Sequence, residues 1–209
     1  MNDGTPIATA PPSPASILRL WLAGDLESPE GVARCVDRWF GSHPAFDAEL
    51  RARFGALPGL ARSGALEAWR ETARGCLALV IVLDQLSRNI YRGTPDAFAA
   101  DPIGRAVAED AIRRRLDTQL SSIEAVFVYL PFEHSETLSD QDRSVECFTA
   151  LARRAPAQLR ARFESFLDFA LRHRELIVRF GRFPHRNAIL GRTSTAEELA
   201  FLAAGGDRF

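Results

Sequence analysis

The 209-residue sequence predicts an all-α fold built as a single domain, and three observations carry that reading. Between residues 156 and 180 the positions Leu159, Phe163, Phe166, Ala170, His173, Ile177 and Phe180 follow one another in steps of four and three. That spacing is one stripe along one face of a helix, interrupted only by His173. Helix-opening signals also recur. Ser28-Pro29, Thr94-Pro95 and Asp101-Pro102 each set a capping residue type before a proline suited to the first helical position. Finally, no tight hairpin turn and no sustained period-two alternation mark a β-strand pair.

Taken in order, residues 1–15 contain four prolines among Thr, Ser and Ala, without a basic segment or an apolar core. They are expected to form a disordered tail, not a signal peptide, with the helical domain running from 16 to 209. A long helix is expected from Ala65 to about Ile90, with Leu66, Trp69, Ala73, Cys76, Val80 and Leu83 at helical spacing. Its stretch Cys76–Leu83 is apolar on all sides, the mark of a central packed helix. Ser121, Ser122 and Glu124 open a second buried helix through AVFVYL at 125–130, with Pro131 as its end. The 156–180 helix stops at Gly181, and Ser194 with Glu197 has the capping-box spacing ahead of Leu199, Phe201 and Leu202.

Composition excludes several chemistries. All 26 basic residues counted as Lys or Arg are arginine. A phosphate-binding P-loop, a protein-kinase site, a Schiff-base or pyridoxal-phosphate enzyme and a Ser-Lys hydrolase each lack their lysine. The net charge is −1 and the isoelectric point about 6.4, which argues against nucleic acid as a partner. Cys35, Cys76 and Cys147 are odd in number and widely spaced, so neither a disulfide framework nor a structural zinc site is indicated. The longest apolar run has eight residues, Cys76–Leu83, against roughly 20 for a bilayer span, so no membrane association is expected. These features read as a cytoplasmic chain.

Three polar segments stand out against the apolar pattern. The first is Asp84-Gln85-Leu86-Ser87-Arg88-Asn89-Ile90-Tyr91-Arg92, where Asp84 with Arg88 and Gln85 with Asn89 share helix faces. The second is Tyr129-Leu130-Pro131-Phe132-Glu133-His134-Ser135-Glu136. Together with Asp140 and Asp142 it carries four acids and no arginine over 133–142. The third is Arg179-Phe180-Gly181-Arg182-Phe183-Pro184-His185-Arg186-Asn187, ending at Gly191-Arg192. It carries four arginines and no acid between Glu175 and Glu197. One segment is locally acidic and another locally basic, and the totals hide both.

The motifs DQLSRNIYRGT at 84–94, YLPFEHSE at 129–136 and RFGRFPHRNAILGRTS at 179–194, with His173 upstream, resemble an uncharacterised, mainly bacterial family known as domain of unknown function 924. The resemblance runs from about Ile17 to Leu202. It departs at Leu86-Ser87, where such proteins often have Phe-Pro, and at Leu20-Trp21-Leu22, where they often have Phe-Trp-Phe. It implies antiparallel helix pairs stacked in a tetratricopeptide-like α-α superhelix, and it implies no activity.

The residues themselves support three alternatives. In the first, Asp84, Gln85, Arg88, Asn89, Arg92, Glu133, His134, Ser135, Glu136, Arg182, His185, Arg186 and Asn187 form one polar pocket. That pocket would take a small anionic ligand or an acidic peptide group from a protein partner. In the second, the same pocket is a His-dependent or metal-assisted hydrolase site. His134 or His185 would then be the acid or base, oriented by Glu136 or Asp84. Chelation by His134 with Glu133, Glu136 or Asp140 would need an irregular backbone, because adjacent helix positions diverge by about 100°. In the third, the charges form an internal network, with Asp84 on Arg88 and with Glu133 or Glu136 on Arg182 or Arg186. No cofactor is indicated, and His173, on its apolar stripe, reads as a hydrogen-bonded core histidine.

Overall fold

The computed structural model describes residues 12–207 and 209. Residues 1–11 of the expected tail lie outside the described residues, and the helical body begins sooner than expected, at Pro14. Ser13 closes a capping box with Ser16, so α1 covers Pro14–Trp21. Ser28 accepts from the Gly31 amide and starts α2, Pro29–Phe40, as its Ser-Pro signal predicts. Helices α3, Pro44–Phe54, and α4, Leu57–Arg62, follow.

The expected 65–90 helix is divided. Residues Glu67–Glu71 form a separate 3₁₀ turn, because Thr72 leaves the helical region and caps α5, Ala73–Val80, by accepting from the Gly75 amide at 3.1 Å. A Cβ on Gly75 would lie 2.1 Å from the Trp69 carbonyl oxygen, so only glycine fits this corner. Gly75→Ala is therefore expected to lower stability by about 1–3 kcal/mol in urea denaturation, through overpacking against backbone that cannot retreat.

Beyond Val80 the same rod widens into a π-helical stretch, Ile81–Leu86, and tightens again into α6, Ser87–Ile90. The Ser87 hydroxyl donates to the Val82 carbonyl five residues back, at 3.2 Å, a reach that suits a wide turn. Such insertions rotate the side chains that follow, and they concentrate at functional sites.

After a 3₁₀ turn at Pro95–Ala97, α7 covers Asp101–Arg113 with Ala100, not Asp101, in the capping position. Asp101 is the first helical residue, and its carboxylate is free for another partner. Ser121 and Glu124 form the expected capping box of α8, Ser122–Glu133. Pro131 sits inside this helix and does not end it. In the last turn the missing N–H removes one bond only, and the His134 amide still reaches the Leu130 carbonyl at 2.9 Å. Helix α9 covers Leu138–Arg154, and α10 covers Arg160–Phe180 after a 3₁₀ turn at Ala157–Leu159. Gly181, at φ 68°, ends α10 in the left-handed region. A 3₁₀ turn at Pro184–Arg186 leads to α11, Ala196–Ala203, whose capping box is Thr195 with Glu198, one residue beyond the predicted pair.

All regular structure among the described residues is helical. Helix α5 is the hub, packed by α1, α7 and α8, while α8, α9 and α10 pack in succession. The core centres on Trp21, Trp39 and Phe127, with Trp39 meeting Phe127 edge-on at 4.8 Å and donating its indole N–H to the Trp21 carbonyl at 2.6 Å. The predicted stripe of α10 is buried from Phe163 through Ile177. No helix among the described residues is long and apolar enough to cross a membrane.

Candidate functional site

The end of α2, the end of the α5–α6 rod, the 95–97 turn, the end of α8, the stretch of α10 from Arg162 to His173 and the 184–186 turn converge on one cavity of about 580 Å³. Gln85, Arg88, Asn89, Arg92, Glu133, His134, His185 and Arg186 line it, and Asp84 lies directly behind. Two short bonds tie the three polar segments together. The Asp84 carboxylate meets His134 Nδ1 at 2.8 Å, and Arg186 donates to the His134 carbonyl at 2.9 Å.

Asp84 is the anchor. Its Oδ1 receives His134 and, at 3.0 Å, Arg88, while Gln85 donates to its Oδ2 at 2.5 Å. Burial works against its charge, but Arg88 and His134 outweigh that and hold the carboxyl below the usual range. Arg88 in turn forks onto Asp101, with bonds of 2.8 and 3.0 Å. Asn89 and Arg92 face Asp47, which accepts from them at 2.7 and 2.8 Å. The sequence read Asp101 only as a helix cap and left Asp47 without a role, since nothing in their spacing identifies partners 13 to 45 residues away.

Arg186 is different. It is 6% exposed, and its guanidinium lies between two phenyl rings, 4.9 Å from the centre of Phe98 and 4.3 Å from that of Phe183. Its nearest carboxylate, Asp101, stands 3.9 Å away and is already engaged by Arg88, and its Nε is buried with no hydrogen-bond partner among the described residues. Burial and the neighbouring charge of Arg88 push its pKa down to about 10. The opposite wall is apolar and aromatic, formed by Trp39, Phe40, Phe166 and Phe169. Arg92, Arg162 and Arg172 stand around it, and Arg162 has no ion-pair partner among the described residues.

Glu133 and His173 form the inner wall. Glu133 is 4% exposed, and burial together with the charge of Asp84 pushes its carboxyl up to about 8. His173 Nδ1 meets the Phe169 carbonyl at 2.8 Å and Glu133 Oε1 at 3.4 Å, and Phe209 stacks on its ring at 3.5 Å. Burial holds both His134 and His173 below the ordinary histidine range. The hydrogen bond expected for His173 is present. Its place on the wall of a cavity was hidden, because a stripe position shows only that a side chain faces inward.

Several predicted partners are corrected. Glu136 does not orient His134, nor does it pair with Arg182 or Arg186. It accepts a fork from Arg192, at 2.6 and 3.0 Å, and the Phe183 amide at 2.8 Å, which keeps its carboxyl below the usual range despite burial. Asp140 accepts from Ser135 and Glu136 from Arg192, so neither groups with His134 as a possible metal ligand. Both Ser135 and Glu136 line a second, shallower depression on the far side of His134.

Arg182 and Asn187 lie outside the main cavity. They bind Glu198, with Arg182 bonds of 2.6 and 2.8 Å and an Asn187 bond of 3.2 Å, in a knot that seats α11. Arg182 holds the Glu198 carboxyl down to about 2. Glu198 thus stabilises the fold above its ordinary value of 4.5, and that contribution is lost as pH falls toward 2. Glu198→Gln is expected to cost roughly 2 kcal/mol near neutral pH. In melts between pH 7 and 2.5 the gap from wild type should close with acidification, and a constant gap would contradict this role.

Comparisons with known proteins bear on the fold and the family. A solved structure of a protein of unknown function from Agrobacterium tumefaciens is 40% identical, with a TM-score of 0.73 over 81% of this chain and 90% of that one. No curated protein matches the sequence. A family model described as "Bacterial protein of unknown function (DUF924)" matches residues 17–206. The match takes in all three polar segments and the helices that carry them, so the chain belongs to the DUF924 family.

Proposed function

We propose that the cavity binds a small amphipathic anion, with a carboxylate or phosphate head on Arg186 and Arg88 and an apolar body against Phe98, Phe40, Phe166 and Phe169. The observation that carries this reading is Arg186, a buried cation whose nearest carboxylate is shared and whose Nε is unanswered. Desolvating a guanidinium without a full partner is unfavourable, and a ligand anion would supply that partner. Five arginines line the cavity against two acids, Glu133 and Asp207, and Asp207 is paired with Arg172. The three free cysteines fit a cytoplasmic setting.

Calorimetric titration with aromatic and aliphatic carboxylates and phosphomonoesters tests the reading. At least one should bind at one per chain, with a dissociation constant at or below the micromolar range. If none binds at millimolar concentration, the polar residues are an internal scaffold and the proposal fails.

A second reading rests on the 2.8 Å contact of Asp84 with His134. A carboxylate on Nδ1 fixes the tautomer that leaves Nε2 unprotonated, the state a general base requires. In this reading His134 activates water against an ester or phosphoester held by the two arginines. Turnover of such substrates that disappears in His134→Gln, with ligand binding retained, would separate it from pure binding.

A further inference from the structure

We infer that Glu133, His134 and His173 form a site for a first-row divalent cation, of the kind that takes two imidazoles and one carboxylate. This goes beyond anion binding and does not depend on it. One ligand atom from each residue lies within 4.8 Å of the other two, a spread that small side-chain movements close to the roughly 2.0–2.2 Å metal bonds such ligands make.

The orientation of the two rings is the stronger argument. His134 Nδ1 faces the Asp84 carboxylate, and His173 Nδ1 faces the Phe169 carbonyl. Metal-bound histidines are held in this way, through the nitrogen that does not touch the metal. A carboxylate or carbonyl at Nδ1 requires the proton there and places the lone pair on Nε2. Each ring is thereby set as a ligand through Nε2. On His173 that atom is buried without a hydrogen-bond partner among the described residues, and so is Oε2 of Glu133. Glu133 is 4% and His173 3% exposed, so neither atom has water as an easy substitute. Buried polar atoms in a native protein are rarely left unanswered, and two facing one cavity wall point to a missing ligand.

The arrangement answers the objection that adjacent helix positions diverge. Glu133 ends α8 and His134 is its cap residue, and the third ligand comes from α10, which packs alongside. Three protein ligands leave at least one coordination position for water or for the head of a bound anion. Arg88 and Arg186 line the same cavity, and the nitrogen and oxygen donors favour Zn²⁺, Co²⁺ or Fe²⁺ over Ca²⁺.

The test uses the full chain after chelator treatment. Titration with Zn²⁺ should show one ion per chain, and Co²⁺ should give the visible absorption of a four- or five-coordinate centre. Glu133→Gln, which keeps shape, and His173→Ala should each weaken Zn²⁺ by more than tenfold, while His43→Ala, which is neither one of the three ligands nor a residue lining the cavity, leaves it unchanged. In ¹⁵N spectra of the wild-type chain, Zn²⁺ should shift Nε2 of two histidines and leave their Nδ1 protonated. That measurement decides the matter even where a variant fails to fold. The inference is overturned if the wild type binds no ion, or if the shifted rings are not His134 and His173. Anion affinity measured with and without Zn²⁺ keeps the two proposals apart: anion binding by metal-free chain stands whether or not Zn²⁺ binds.

Discussion

Arg186→Met is expected to abolish anion binding while leaving stability within about 1.5 kcal/mol of wild type. These two outcomes pull in opposite directions for a ligand residue and a structural one. If Arg186 served an internal ion-pair network, removing it would strand a buried partner and cost on the order of 3–5 kcal/mol. The geometry gives it only a shared one, Asp101 at 3.9 Å. Asp101 is held by both nitrogens of the Arg88 fork, and what Arg186 gives the fold is one bond to the His134 carbonyl and its contact with Phe98 and Phe183. Methionine keeps the apolar contact, loses a hydrogen bond of about 1 kcal/mol, and removes the cost of a desolvated charge. The fold should barely notice. The ligand loses its main counter-ion, and affinity should fall at least a hundredfold by calorimetry.

Arg186→Lys asks a finer question. Lysine keeps the charge, but an ammonium has neither the plane that two facing rings accept nor the parallel pair of fixed N–H donors that a forked contact uses. A loss of tenfold or more is expected, against no change for Arg153→Lys on the exposed end of α9. The absence of lysine across the chain is uninformative at surface positions such as this one. At Arg186 the guanidinium geometry is in use.

How much of this was legible beforehand follows from the range of each interaction. The α10 stripe and the Ser121–Glu124 box depend on neighbours three or four residues apart, and both are found where spacing puts them. Segments 84–92, 133–136 and 182–187 stood out because each breaks the pattern around it, yet only part of each lines the cavity, and Ser135, Glu136, Arg182 and Asn187 lie outside it. Of the charge pairs only the local one, Asp84 with Arg88, was legible. Local charge balance set an acidic 133–142 against a basic 179–192. Yet Arg182 turned to Glu198, Glu136 to Arg192, and Arg88 to Asp101, choices made by packing across 13 to 56 residues. Thr72 shows the opposite failure. Its cap is local and readable, but the helical spacing of Leu66 and Trp69 concealed the break. The π-helical turn at 81–86 has no signature where the apolar run gives way to Asp84 and Gln85, although it precedes the face that carries Arg88 and Asn89.

Asp84→Asn should have the largest effect on stability, about 3–5 kcal/mol in chemical denaturation, although the two side chains differ by an oxygen and an amide. Every group that faces Asp84 from neighbouring elements donates: Gln85 Nε2 at 2.5 Å, Arg88 Nη1 at 3.0 Å and His134 Nδ1 at 2.8 Å. A carboxylate satisfies all three with acceptor oxygens. An asparagine offers one oxygen, and its NH₂ must then face a donor in a site only 1% exposed, where water cannot intervene. If the amide is directed at His134, the ring can accept it only by moving its proton to Nε2. The lone pair then leaves the cavity wall, and with it both the general base and one metal ligand. The ¹⁵N signature of His134 should accordingly switch tautomer in this variant. Arg88 keeps Asp101, so the helix junction survives, and a folded Asp84→Asn chain with an unchanged His134 tautomer would show that the carboxylate does not set the state of the ring.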